Sequence, residues 1–216
     1  MINSDEKAVI DVYQRHGQAW AALRGDRLTE VAWLDRFCAL LPAHASVLDI
    51  GCGSGVPIAR ELIRRGFDVT GLDATPTMVA LFRRNLPTAP IHQGDMRAMD
   101  LGKRFEGLLA WDSFFHLSPE DQRPMFARFQ THAAPGAALM FTSGHEEGVA
   151  IGDMEGSPLY HGSLGSAEYH TLLDAAGFEV IDHVVEDPTC GHRTIWLARQ
   201  RRSGLDSTSI PPRRDS

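Results

Sequence analysis

The chain has 216 residues, 43% hydrophobic and 23% charged, an ordinary composition for a folded domain with ample material for a core. Its 21 Lys and Arg against 28 Asp and Glu give a net charge of −7, and no basic block appears before the final stretch. A protein that tracks a phosphate backbone carries a basic face, so nucleic acid is a poor first choice of partner. The three cysteines, Cys38, Cys52 and Cys190, are far apart and not in C-x-x-C spacing. They provide neither a disulfide framework nor a zinc pair, as expected of a chain in a reducing cytoplasm. The polar start Met1–Glu6 lacks an apolar signal core, and no segment reaches the length of a membrane span.

In chain order, Val9, Val12, Tyr13, Trp20 and Leu23 predict a helix from Ser4 to about Leu23, weakened or broken at Gly17 and Gly25. A second amphipathic segment, Leu28 to Leu41, stops at Pro42. Ser46–Ile50 reads as a first strand that runs into Gly51-Cys52-Gly53-Ser54-Gly55, and Pro57 opens a helix ending at Gly66. Phe67–Asp73 reads as a second strand ending in an acid, followed by a helix with Thr75 as N-cap and Pro76 in its first turn. Ile91-His92-Gln93 leads into Gly94-Asp95-Met96 as the third strand end, and Gly107–Asp112 forms the fourth, with a helix from about Ser118. Ala137–Thr142 is the fifth strand. Residues 143–165 are glycine-rich and aperiodic, a long connection for a compact domain. A helix over Ser166–Gly177 and a hairpin of Phe178–Val185 with Thr194–Ala198 close the fold. This alternation implies an α/β domain over residues 45–200, preceded by a helical segment over 1–44 and followed by a disordered tail over 201–216.

The glycine loop lets the backbone turn tightly and approach a ligand, with the amides of the next helix pointing into the crevice. Its spacing is G-x-G-x-G, with Val56 where a dinucleotide fold carries a third glycine, and Asp49 stands just before it. A phosphate gains little from that carboxylate, whereas a zwitterion with an ammonium group can use it. Asp73 sits where a carboxylate can accept both hydroxyls of an adenosine ribose.

With these motifs at three successive strand ends, the chain resembles the class I S-adenosylmethionine (SAM) dependent methyltransferases over roughly residues 45–200. The resemblance implies a Rossmann-like, doubly wound and mostly parallel seven-stranded sheet with an antiparallel C-terminal hairpin strand, and makes the N-terminal helical segment over 1–44 a lid. It implies SAM as cofactor, with Asp49 and the loop of Gly51, Cys52, Gly53 and Gly55 around its methionine part and Asp73 on the ribose. Asp95 would take the adenine amino group and Met96 would pack on the ring. Ala74, Met78, Gly94 and Trp111 complete the implied cofactor site. The implied reaction moves a methyl group to an O, N or S nucleophile of a small molecule, in a monomer or homodimer. A non-catalytic SAM-binding regulator and a nicotinamide-dependent oxidoreductase are the rival readings.

Displacement at a sulfonium methyl asks mainly for orientation of the acceptor, and for a base only where the acceptor must lose a proton. Ligands of open α/β sheets lie beyond the strand ends, which singles out the segments after the fourth and fifth strands. His116 and Asp112 are the candidates for proton transfer or orientation; as alternatives, His116 is a hydrogen-bonded loop residue and Asp112 caps a turn. Phe114, Phe115, His145 and Tyr160 are candidates for the acceptor wall, and Tyr13 and Trp20 for a helical cover. No Asn/Asp-Pro-Pro-Tyr/Phe motif follows the fourth strand and no Asp-Asn pair follows the fifth, which argues against a base-amine substrate and a metal requirement.

Overall fold

In the computed structural model, which describes residues 8–202, one sheet carries the molecule. Its strands are β1 (Ser46–Ile50), β2 (Asp68–Asp73), β3 (Ile91–Gln93), β4 (Phe105–Ala110), β5 (Ala133–Ser143), β8 (Phe178–Asp187) and β9 (Arg193–Gln200), in the order β3-β2-β1-β4-β5-β9-β8. Pairing is parallel from β3 through β5, and β9 runs antiparallel to both β5 and β8. The helices are α1 (Val9–Arg24), α2 (Val31–Ala39), α3 (Ile58–Arg64), α4 (Pro76–Asn85), α5 (Pro119–His132) and α6 (Ser166–Ala175).

Alternation along the strands builds two cores. Val47, Leu109 and Met140 face Trp33, Leu34, Phe37 and Phe82 of α2 and α4. Leu48, Leu108 and Leu139 face Phe126, Phe129 and Tyr169 of α5 and α6. A sheet covered on both faces buries its parallel strands completely, which is why they read as apolar runs rather than alternating ones. The chain winds outward from β1 to β3, then returns to place β4 on the other side of β1. That reversal opens a crevice at the carboxyl ends of β1 and β4.

Three expectations change. The α1 helix runs unbroken through Gly17, because a methyl group there would lie 3.2 Å from Met78 Cε of α4; the residue permits close helix approach instead of ending the helix. Residues 143–165 are no irregular loop: β6 (Gly148–Met154) and β7 (Ser157–Ser163) pair in a two-stranded antiparallel sheet. Glu155 and Gly156 at its turn both have positive φ, the geometry that suits a two-residue hairpin. Arg201, expected in the tail, is tied to the domain by its amide, which donates to the Gly177 carbonyl at 2.8 Å; residues 203–216 of that segment, like the start of the expected first helix, lie outside the described residues. No helix among the described residues is long and apolar enough to cross a membrane.

Candidate active site

At the end of β1 the three loop glycines serve different needs. A Cβ on Gly51 would fall 2.4 Å from Ser113 Cβ, and one on Gly55 would fall 2.7 Å from both Phe82 and Leu86. Both are therefore imposed by packing. Gly53 has φ +55°, and a Cβ there would meet nothing nearer than Met78 Sδ at 4.0 Å. Its missing side chain leaves crevice space for a ligand.

Asp73 ends β2 as a buried carboxylate. Its Oδ2 accepts the Gly53 amide and its Oδ1 the Thr75 amide, each at 2.8 Å. Burial raises its pKa, and those two hydrogen bonds oppose the rise. The Thr75 side chain adds a third hydrogen bond to the same carboxylate. Asp49 is 4% exposed, has no hydrogen-bonded partner among the described residues, and lines the same pocket. Burial, then the Asp73 charge, push it up to about 7. Two neighbouring buried acids favour a cationic or hydrogen-bond-donating guest. Asp95 accepts the Arg97 amide at 2.8 Å and holds the Arg97 guanidinium, which also reaches Asp121. Burial raises the Asp95 carboxyl, yet the Arg97 contacts outweigh it and hold the group below its ordinary range.

The other end of the pocket starts at Trp111, where β4 gives way to a turn. Trp111 lines the pocket, and its indole Nε1 is buried without a hydrogen-bond partner among the described residues. Asp112 has φ +49°, its amide donates to Thr142 Oγ1 at 2.9 Å, and its carboxylate is clasped by Arg193 of β9. The clasp is two-pronged, Nε to Oδ1 at 2.8 Å and Nη2 to Oδ2 at 2.7 Å. His116 Nδ1 lies 2.9 Å from the Tyr160 carbonyl, and its Nε2 lies 3.0 Å from Tyr13 Oη. A carbonyl only accepts, so Nδ1 carries the proton and the Tyr13 hydroxyl donates to Nε2. Burial lowers His116 to about 4, with His161 adding to the fall. Burial, helped by the Asp112 and Asp73 charges, raises the Tyr13 phenol. Both groups are neutral at physiological pH.

One pocket gathers Asp49, Gly51, Cys52, Gly53, Gly55, Asp73, Ala74, Met78, Gly94, Asp95, Met96 and Trp111, together with Asp112, His116, Tyr13 and Trp20. Four expected wall residues are placed elsewhere. Phe114 is fully buried among Phe126, Phe129, Phe141 and Tyr169, because its turn projects it into the core under β5. Phe115 packs behind the pocket against His116 and His161. His145 stands exposed beside Glu146. Tyr160 is buried with Val9, Val12 and Leu159, and its carbonyl serves the site by fixing His116. Sequence reasoning missed Arg24 and Arg97, which line the pocket, and Arg193. Arg24 is paired with the fully buried Glu30. A pairing between positions 112 and 193 leaves no local signal to read. No group of three or more His, Cys, Asp or Glu side chains among the described residues could hold a metal.

Fold and site together define an α/β domain that binds a nucleoside-bearing cofactor at its topological switch point. A family model described as a methyltransferase domain matches residues 47–136. A dTDP-4-amino-2,3,4,6-tetradeoxy-D-glucose N,N-dimethyltransferase of Saccharopolyspora spinosa is 28% identical over 183 residues, 82% of this chain and 71% of that one. A dTDP-3-amino-3,4,6-trideoxy-alpha-D-glucopyranose N,N-dimethyltransferase of Streptomyces venezuelae is 32% identical over 143 residues, 65% of this chain and 57% of its own. A further N,N-dimethyltransferase, from Streptomyces fradiae, is 34% identical with 48% of its length matched, so two of these three relatives extend well beyond the shared region. Among solved structures, a SAM-bound amino pentose methyltransferase from Micromonospora echinaspora superposes with a TM-score of 0.66 at 23% identity, covering 85% of this chain and 96% of that one. A methyltransferase from Streptomyces caelestis reaches 0.70 at 18% identity, covering 91% and 99%. The family model, the curated relatives and the fold together support a class I SAM-dependent methyltransferase.

Proposed function

We propose that the protein methylates an amino nitrogen of a small molecule, held at the Trp111–His116 end of the pocket. The residues present fit SAM: Gly53 leaves room that a Cβ would fill, and Asp49 offers an unpaired carboxylate to an ammonium group. Asp73 would accept from the ribose hydroxyls, and Asp95, Met96 and Gly94 would border the adenine. When bound, SAM would supply an electrophilic methyl carbon whose transfer to the nitrogen lone pair leaves the S–CH3 electron pair on sulfur, and the methylated nitrogen would release its proton to solvent. The chain's own residues position, desolvate and orient. Val9, Ile10, Tyr13 and Trp20 of α1 would roof the pocket, whereas α2 of the expected cover segment packs against the sheet.

The observation that carries the amine is the state of His116. Both of its nitrogens are engaged and burial holds it neutral down to about pH 4. Such an imidazole is a poor proton acceptor at pH 7. It is a good fixed partner for the Tyr13 hydroxyl, which orients a nucleophile that already has a lone pair. The N,N-dimethyltransferases among the relatives support this acceptor class. Every group named comes from one chain, so either a monomer or a homodimer would carry a complete site. The free thiols Cys38, Cys52 and Cys190 support a reducing, cytoplasmic setting. The test is radiolabelled methyl transfer from SAM to matched panels of amino and hydroxy sugars and simple amines. Label on nitrogen is expected; label confined to hydroxyl oxygens would overturn the amine while leaving the methyltransferase intact.

A further inference from the structure

We infer that Arg193 is a positioning residue that neutralises Asp112, so that the methyl end of the pocket admits the acceptor amine as its free base. The inference rests on the amine reading for its purpose but not for its test. An ammonium ion has no lone pair and cannot attack a methyl carbon. A bare carboxylate beside the incoming nitrogen would favour the ammonium form and trap the acceptor in its unreactive state. Asp112 lines the pocket next to Trp111, Tyr13 and His116, where such a trap would act.

The guanidinium reaches it across 81 residues of sequence through a two-pronged contact that matches a carboxylate edge. Both side chains are shielded, at 25% exposure for Arg193 and 21% for Asp112, so solvent screens the pair only in part. Arg193 is itself held in place, its Nη1 donating to the Cys190 carbonyl at 3.0 Å and its guanidinium 5.8 Å from the Trp111 ring centroid.

The groups facing Asp112 come from every neighbouring element. Tyr13 of α1 and His116 of the turn after β4 feel its charge, as do His161 of β7 and the Cys190 thiol before β9. Glu30, before α2, acts on Arg193 from the far side and is itself paired with Arg24. Among these, Arg193 is the permanent cation in contact with Asp112. Without it, the methyl end would carry the full negative charge of that carboxylate beside two neutral rings.

SAM and S-adenosylhomocysteine differ by one methyl and one positive charge at the sulfur, so their affinity ratio reports the local potential without any acceptor. Sinefungin places an amine where the methyl stands, so its pH-dependent binding reports whether that site favours ammonium. Calorimetry of the full chain should show Arg193→Gln raising the SAM-to-homocysteine-product affinity ratio by about tenfold, with affinity for the neutral product kept. Sinefungin should bind the same variant more tightly, with its titration moved to higher pH. Arg193→Lys should leave the ratio within about twofold of the parent, because it keeps the charge while losing the fork. Asp112→Asn, which leaves Arg193 uncompensated, should lower the ratio and serves as the second variant if Arg193→Gln does not fold. An unchanged ratio in Arg193→Gln, with product binding intact, overturns the inference and assigns the pair to strand tethering alone. A shifted ratio combined with methyl transfer only to oxygen would uphold the neutralisation and remove the amine reading.

Discussion

The two ends of the pocket are built in opposite ways. At the proposed cofactor end, Asp49 and Asp73 lie near the ends of adjacent parallel strands, and the Gly53 and Thr75 amides, each donating to Asp73 at 2.8 Å, fix that carboxylate to the glycine loop. At the proposed acceptor end, Tyr13 of α1, Asp112 and His116 of the turn after β4, Tyr160 of β7 and Arg193 of β9 come from four separate segments and meet through side chains or a single carbonyl. A constant ligand can be read by a rigid, local frame. A variable acceptor is met by groups contributed piecemeal, each replaceable without dismantling the sheet. This contrast predicts that changes at the first end abolish cofactor binding, whereas changes at the second alter acceptor use and leave binding of S-adenosylhomocysteine intact.

Gly53→Val should break the cofactor end most completely. The positive φ costs a branched residue about 1–2 kcal/mol, and its side chain would stand in the crevice. Calorimetry should detect no SAM binding while the circular dichroism spectrum stays native; retained binding would mean that the ligand lies elsewhere. Asp73→Ala should weaken SAM binding by roughly 2–3 kcal/mol through the lost charge-assisted hydrogen bonds. Asp73→Asn is no mild substitute here. Both oxygens accept backbone amides, so an Asn side chain must turn its NH2 toward one of those donors.

His116→Ala sharpens the comparison from the acceptor side. If orientation is its task, the acceptor KM should rise by about tenfold with kcat and SAM affinity little altered. A fall in kcat of about 10²–10⁴-fold would instead identify a general base and break the amine reading. The smallest effect concerns pH. Asp49 sits near 7 in the folded chain against an ordinary 3.8. The folded state therefore holds a proton that the unfolded state releases, and this contribution to stability is lost as pH rises from about 4 through 7. An ammonium guest needs the ionised form, so SAM affinity should increase several-fold between about pH 6 and pH 8. Asp49→Asn should flatten both trends; a parent whose SAM affinity ignores pH across that window would exclude this contact.

Sequence alone determined the α/β alternation, the strand ends and the acids at them, because those signals are periodic or confined to a few consecutive residues. Ser46–Gly55 reads as a strand and ligand loop from its own residues, since the turn chemistry of glycine and the burial pattern of a parallel strand are local properties. Which glycine makes room for a ligand was not legible: Gly51 and Gly55 answer to Ser113, Phe82 and Leu86, whose approach depends on packing between distant segments. Tertiary structure also decided that Phe114 belongs to the core while the adjacent turn residues Asp112 and His116 face the pocket, a matter of how the turn leaves β4. It converted an aperiodic glycine-rich stretch into the β6–β7 hairpin, whose Tyr160 carbonyl fixes the tautomer of His116. The Asp112–Arg193 contact is the extreme case. Neither residue carries a motif, and only the antiparallel return of β9 along β5 brings the charge of one to the other.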